Sequence, residues 1–218
     1  MKKLSLILLF SLAACSSAES SEQTSTIIHQ AQTAPVATPT KVSPVKTDTA
    51  IFAGGCFWCI ESDFEKVPGV ISVVSGYTGG ETLNPTYKQV TYAETGHFEA
   101  VKVTYDANAV SYNYLLNYFW HHIDPTDPNG QFCDKGSSYR TAIFARPDQV
   151  DAAIASKSHV EQSKPFKADI VTPVLSAATF YDAEEYHQDY YKKNPAHYNR
   201  YRVGCGRDRR VQQLWGRK

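Results

Sequence analysis

This chain of 218 residues lacks an excess of charge of either sign, since 22 acidic side chains balance 22 basic ones. A neutral chain supplies no long-range field to gather nucleic acid or an acidic polymer, so a small or locally recognised substrate is expected and a nucleic-acid partner is not. There is no internal repeat, which excludes a solenoid or propeller. No apolar run reaches the roughly 20 residues that a membrane-spanning helix requires. The H-E-x-x-H and paired C-x-x-C spacings of common metal sites are also missing, and the adjacent His121 and His122 point apart on a helix. Hence no metal and no other cofactor is expected.

What is present begins with a leader. Lys2 and Lys3 precede an apolar run, residues 4–14, that ends in small residues before Cys15. This is the pattern of a secretory signal, too short to span a bilayer. Leu12-Ala13-Ala14-Cys15 resembles the lipobox of bacterial lipoproteins, which implies a lipid-modified Cys15 as the first residue of the mature chain. Several acyl chains hold a protein firmly, because each buried CH2 contributes roughly 0.8 kcal/mol. Ser16 and Ser17 lack the aspartate associated with inner-membrane retention, so the expected location is the cell envelope, on the periplasmic face of the outer membrane. Residues 15–48 are rich in Ser, Thr, Ala, Gln and Pro, without the apolar surface needed to offset ordering entropy. They read as a flexible tether between a signal peptide at 1–14 and a catalytic domain at 49–218.

From residue 49 onward apolar segments alternate with turns. Strands are expected at 49–53, 70–77, 97–105, 139–145 and 170–175. Helices are expected at 57–67, 111–123 and 147–163, and Asp182 with Glu185 reads as a capping box opening a last helix that Pro195 closes. Strands and helices do not alternate strictly, so the fold class is α+β, a single domain with a mixed sheet flanked by helices.

Cys56 stands out. It follows a buried strand and the Gly54-Gly55 turn, and it opens a helix, where backbone N–H groups and the helix dipole favour a thiolate. A nucleophile is expected there with its pKa lowered, the plain alternative being a buried structural thiol. Phe57 and Trp58 come next and either face the core or wall a pocket beside the sulfur.

The run Gly54-Gly55-Cys56-Phe57-Trp58 resembles the signature of the A-type peptide methionine sulfoxide reductases. Further blocks resemble that family in its order: Ser75-Gly76-Tyr77-Thr78-Gly79-Gly80, Asn84-Pro85-Thr86-Tyr87, Thr95-Gly96-His97, Glu99-Ala100-Val101, Ser138-Tyr139-Arg140, Tyr186-His187-Gln188 and Lys193-Asn194-Pro195. The resemblance extends from about residue 52 to the C-terminus. It implies reduction of the S epimer of methionine sulfoxide, free or in proteins, with a thioredoxin-like reductant as partner. Cys56 would attack the sulfoxide sulfur, and Glu99 would be the acid on the oxygen side, where a closed pocket raises its pKa. Tyr87 and Tyr139 would donate to the same oxygen, with Asp134 in the loop before Tyr139. Phe57 and Trp58 would hold the substrate's methyl group.

Attack leaves a sulfenic acid on Cys56 that another thiol must resolve. Many relatives resolve through a glycine-rich C-terminal tail, whereas here only Cys205 lies in that region, followed by basic residues. Cys205, between two glycines, could swing to Cys56 and is placed first. Cys59 forms a C-x-x-C with Cys56, a spacing at which disulfides form readily. Cys133, beside Asp134, could instead pair with Cys205. Two readings from other classes compete: a thioredoxin-like disulfide oxidoreductase using Cys56 and Cys59, and a zinc-binding or redox-sensing lipoprotein built on the four remaining thiols and the histidines.

Overall fold

The computed structural model describes residues 44–216. Cys15, the expected signal peptide and most of the expected tether lie outside the described residues. Among the described residues eight strands and seven α-helices are formed: β1 (Thr47–Gly54), α1 (Phe57–Phe64), β2 (Val70–Thr78), α2 (Tyr87–Tyr92), β3 (Phe98–Asp106), α3 (Tyr112–Trp120), β4 (Gly130–Gln131), β5 (Asp134–Lys135), β6 (Thr141–Ala145), α4 (Val150–Ser163), β7 (Val174–Ser176), β8 (Tyr181–Asp182), α5 (Tyr190–Lys193), α6 (Pro195–Gly204) and α7 (Arg207–Trp215). Short 3-10 turns occur at Ser137–Tyr139 and Glu185–His187.

Six strands form one sheet in the order β7-β6-β1-β3-β2-β8, antiparallel throughout except for the parallel pair β6 and β7. The mixed sheet and α+β class read from the sequence are what the chain adopts. Helix α1 carries the chain from β1 over to β2, leaving a gap that β3 fills by pairing with both. β3 can occupy the centre because its sequence FEAVKVTYD is buried along most of its length. Phe52 on β1 is the hub of the core, with its ring 5.0 Å from both Phe64 of α1 and Phe119 of α3. Each such fully buried aromatic contributes roughly 1.5–3 kcal/mol by leaving water.

Three expectations need correction. β1 begins at Thr47, and Asp48 accepts hydrogen bonds from Arg146 (2.7 Å) and Tyr105 (3.1 Å), so the last residues assigned to the tether belong to the sheet. Asp182 caps no helix, because residues 181–182 pair with Tyr77 and Gly76 as an edge strand. Pro195 opens a helix rather than closing one: it stands in the first turn of α6, where its missing N–H has no intrahelical partner to lose.

Candidate active site

The site is built where β1 runs out. Gly55 turns the chain with φ +80°, and a Cβ there would lie 2.5 Å from the side chain of the buried Gln131, so glycine is needed for both conformation and space. The turn places Cys56 at the N-cap of α1, buried to 6% exposure. On the adjacent central strand, Glu99 sits opposite Tyr77 in register and is 1% exposed. The Phe57 N–H donates to Glu99 Oε2 at 3.0 Å. Burial outweighs that bond and pushes the Glu99 carboxyl up to about 8, so it is largely protonated at neutral pH.

The Phe57 N–H is thus spent on Glu99 and the Cys59 N–H on the Cys56 carbonyl at 3.1 Å, rather than on the sulfur. Cys56 makes no side-chain cap hydrogen bond, and burial, then its contact with Cys59, pushes its thiol up. The lowered thiol is that of Cys59, which accepts from Cys56 and faces the guanidiniums of Arg207 and Arg202. The expectation of a lowered Cys56 is corrected accordingly: burial outweighs the helix N-terminus and pushes its thiol up.

Tyr87 opens α2 and is fixed by a capping box between Thr86 and Gln89 and by its own N–H, which donates to Glu184 Oε1 at 2.8 Å. Tyr139 ends a 3-10 turn, and its hydroxyl interacts with Tyr87 and with Glu99. Phe57 is 1% exposed, its ring 6.4 Å from Tyr87 and 5.0 Å from His187. Trp58 is half-buried, stacks on Tyr190 at 3.7 Å and donates from its indole N–H to His187 Nδ1 at 3.0 Å. Cys56, Glu99, Tyr87, Tyr139, Phe57 and Trp58 thus share one region. Asp134, on β5, joins it through Tyr201, whose hydroxyl donates to Asp134 Oδ2.

Cys205 is not a free thiol. It is disulfide-bonded to Cys133, and among the described residues Cys56 and Cys59 are the free cysteines. Of the pairings considered, the one formed is that of Cys133 with Cys205. Two thiols counted toward a zinc site are also consumed.

Four functional neighbours escaped sequence reasoning. Glu184 clamps Tyr77 and Tyr87 together, accepting from both at 2.8 Å. His187 orients the indole of Trp58. Arg207, 2% exposed, donates to the Gly54 carbonyl (3.2 Å) and the His122 carbonyl (2.9 Å) behind the Cys56 turn. Tyr201 is the fourth. A capping box was legible in Thr86-Tyr87-Lys88-Gln89, whereas Tyr201 and Arg207 lie in a basic stretch with no apolar period to mark an inward face.

The family model described as "Peptide methionine sulfoxide reductase" matches residues 48–218. The chain belongs to the peptide methionine sulfoxide reductase family. It is 54% identical over 181 residues to "Peptide methionine sulfoxide reductase MsrA 2" of Caulobacter vibrioides, covering 83% of this chain and 91% of that protein. It is likewise 54% identical to the MsrA protein of Bacillus subtilis, covering 79% of this chain and 98% of that one. Among solved structures, methionine sulfoxide reductase A of Corynebacterium diphtheriae superposes with a TM-score of 0.64 at 35% identity, over 68% of this chain and 76% of that one. Membership in the reductase family sets aside the thioredoxin-like reading of Cys56 and Cys59.

Proposed function

We propose that this reductase converts the S epimer of methionine sulfoxide, in proteins or free, to methionine, with Cys56 as the nucleophile. The observation that carries the reading is a neutral, buried carboxyl on Glu99 beside Cys56 and next to Tyr139 and Tyr87. A sulfoxide sulfur is a poor electrophile until its oxygen is hydrogen-bonded or protonated. Glu99 supplies the proton, the two tyrosines supply hydrogen bonds, and Phe57 and Trp58 enclose the methyl group. Cys56 bonds to the sulfur and the oxygen passes to it, so that thiol plus sulfoxide yields sulfenic acid plus methionine with atoms and electrons in balance.

Cys59 then attacks the sulfenic acid, expelling water and forming a Cys56–Cys59 disulfide. Support comes from its free thiol, its hydrogen bond from Cys56 and the two arginines that favour its thiolate. A thioredoxin-like dithiol donor restores the pair. At the other end of the chain, the lipobox-like residues 12–15 support lipidation of Cys15 and an outer-membrane location facing the periplasm. Cys15→Ser is expected to move the protein from the membrane fraction to the soluble one.

The test of the reductase reading is Cys56→Ser assayed on both sulfoxide epimers with a small dithiol. The expected result is complete loss of activity, which in the parent is confined to the S epimer. Substantial turnover by the variant, or equal use of both epimers by the parent, overturns it.

A further inference from the structure

Cys56 holds its proton at rest, yet the reaction requires the sulfur to shed it. Two groups face the sulfur. One is Cys59, which the proposed cycle already uses. The other is Tyr201, which reaches the site from α6. Its ring packs edge-on against Trp58, with centroids 5.9 Å apart, and against the Cys56–Cys59 cluster, and its hydroxyl interacts with Cys56 in the direction that eases loss of the thiol proton. The same hydroxyl donates to Asp134 Oδ2. A phenol has one proton, and with that proton directed at Asp134 its lone pairs face the thiol.

We propose that Tyr201 is a further catalytic residue that relays the Cys56 proton to the carboxylate of Asp134. The proposal rests on the reading of Cys56 as the nucleophile. As the bond between Cys56 Sγ and the substrate sulfur forms, the thiol proton passes to the Tyr201 oxygen while the phenol proton passes to Asp134 Oδ2. Meanwhile the sulfoxide oxygen takes the Glu99 proton. Each proton lost has an acceptor, and no electrons beyond those of the sulfoxide reduction are involved. The two carboxyl groups thereby work in opposite directions, a buried one that gives a proton to oxygen and a half-buried one that receives a proton from sulfur.

The architecture holds this relay in place. Cys133 immediately precedes Asp134, and Cys205 is one helical turn from Tyr201, its N–H donating to the Tyr201 carbonyl at 2.9 Å. The Cys133–Cys205 disulfide therefore ties together the two segments whose side chains form the Tyr201–Asp134 bond. It is a covalent brace for the relay and need not exchange with Cys56.

The test uses the full chain in a Cys59→Ala background, which removes the competing acceptor and halts the cycle at the sulfenic acid. Two readouts are followed against pH: the single-turnover yield of methionine and the alkylation of Cys56 by iodoacetamide. The charged and titratable groups around the pair are Glu99 and Tyr87 from the sheet side, Asp63 from α1, Asp134 and Tyr201, and Arg202 and Arg207 from the C-terminal helices. All remain in the variants except the residue replaced.

Tyr201→Phe keeps the ring and its packing and is expected to slow the single turnover by about 10² or more. It is also expected to move Cys56 alkylation to higher pH. Asp134→Asn should give the same direction of change, and the double substitution should be no slower than the worse single one, as for two groups on one path. Rates and alkylation profiles unchanged in both variants, or losses that simply add, overturn the relay. If Tyr201→Phe fails to fold, Asp134→Asn alone still decides by its alkylation profile. Cys56→Ser separates the failures: activity persisting there sinks the nucleophile reading itself, whereas an inactive Cys56→Ser with an unaffected Tyr201→Phe sinks only the relay.

Discussion

Glu99 shows how one burial changes the behaviour of a side chain. At the edge of a sheet it would be an ordinary carboxylate. On the central strand, covered by α1, it is held as an acid to about 8. Glu99→Gln keeps the shape and removes the transferable proton, and the expected loss in single-turnover rate at neutral pH is about 10²- to 10⁴-fold. An unchanged rate would take Glu99 out of the mechanism. The same burial carries a stability consequence with a definite sign. The folded state holds this proton more tightly than the unfolded chain, whose carboxyl titrates near 4.5. The stabilising contribution is therefore complete below about pH 4.5 and is lost as pH rises through about 8, by up to about 5 kcal/mol. Glu61, buried against Ser75 and the Asp189 N–H and raised to about 7 by that burial, acts in the same direction. Urea midpoints measured from pH 5 to 9 should fall more steeply in the parent than in Glu99→Gln. Parallel curves would contradict the raised acid.

At the scale of elements, α1 and the three long strands were legible because their apolar residues recur with the period of a helix or of a buried strand. The C-terminal third was not. An Asp182-to-Glu185 spacing that looks like a cap is overridden by strand pairing to β2, since the edge N–H and C=O groups of β2 find partners there. Helices α6 and α7 carry mostly polar residues, and what they bury includes a guanidinium, Arg207, paired with backbone carbonyls. No hydrophobic period announces such a helix. The disulfide was likewise open among several pairings until loop and helix were brought together. It closes a separation of 72 residues, for which chain entropy predicts about 4 kcal/mol of stabilisation. With a thioredoxin-like donor, Cys205→Ser is expected to lower the denaturant midpoint yet continue to cycle, although more slowly. Cys59→Ser is expected to stop after one turnover. The reverse pattern would make Cys205 the resolving thiol.

The molecule as a whole contains one methionine, Met1, so the described domain has none. Its core is filled by Phe, Ile, Leu, Val and Trp, which mild peroxide does not convert to sulfoxides. An enzyme of this composition has no core thioether to lose to the damage it repairs. Mild peroxide followed by dithiothreitol is thus expected to leave the thermal midpoint of the domain unchanged, with reversible oxidation confined to cysteine. A lasting fall in the midpoint would show another vulnerable group.

The amino-acid order alone determined the reactive turn at Cys56, the strand bearing Glu99, the α+β class and the family, because these are local: a glycine pair, a period of two or 3.6, a run of contiguous motifs. Tertiary structure alone decided which sulfurs are joined, which free thiol burial pushes up and which tyrosine from a distant helix meets Cys56. Those outcomes depend on distances between segments far apart in the chain and on the exclusion of water between them, and neither is encoded at any single position.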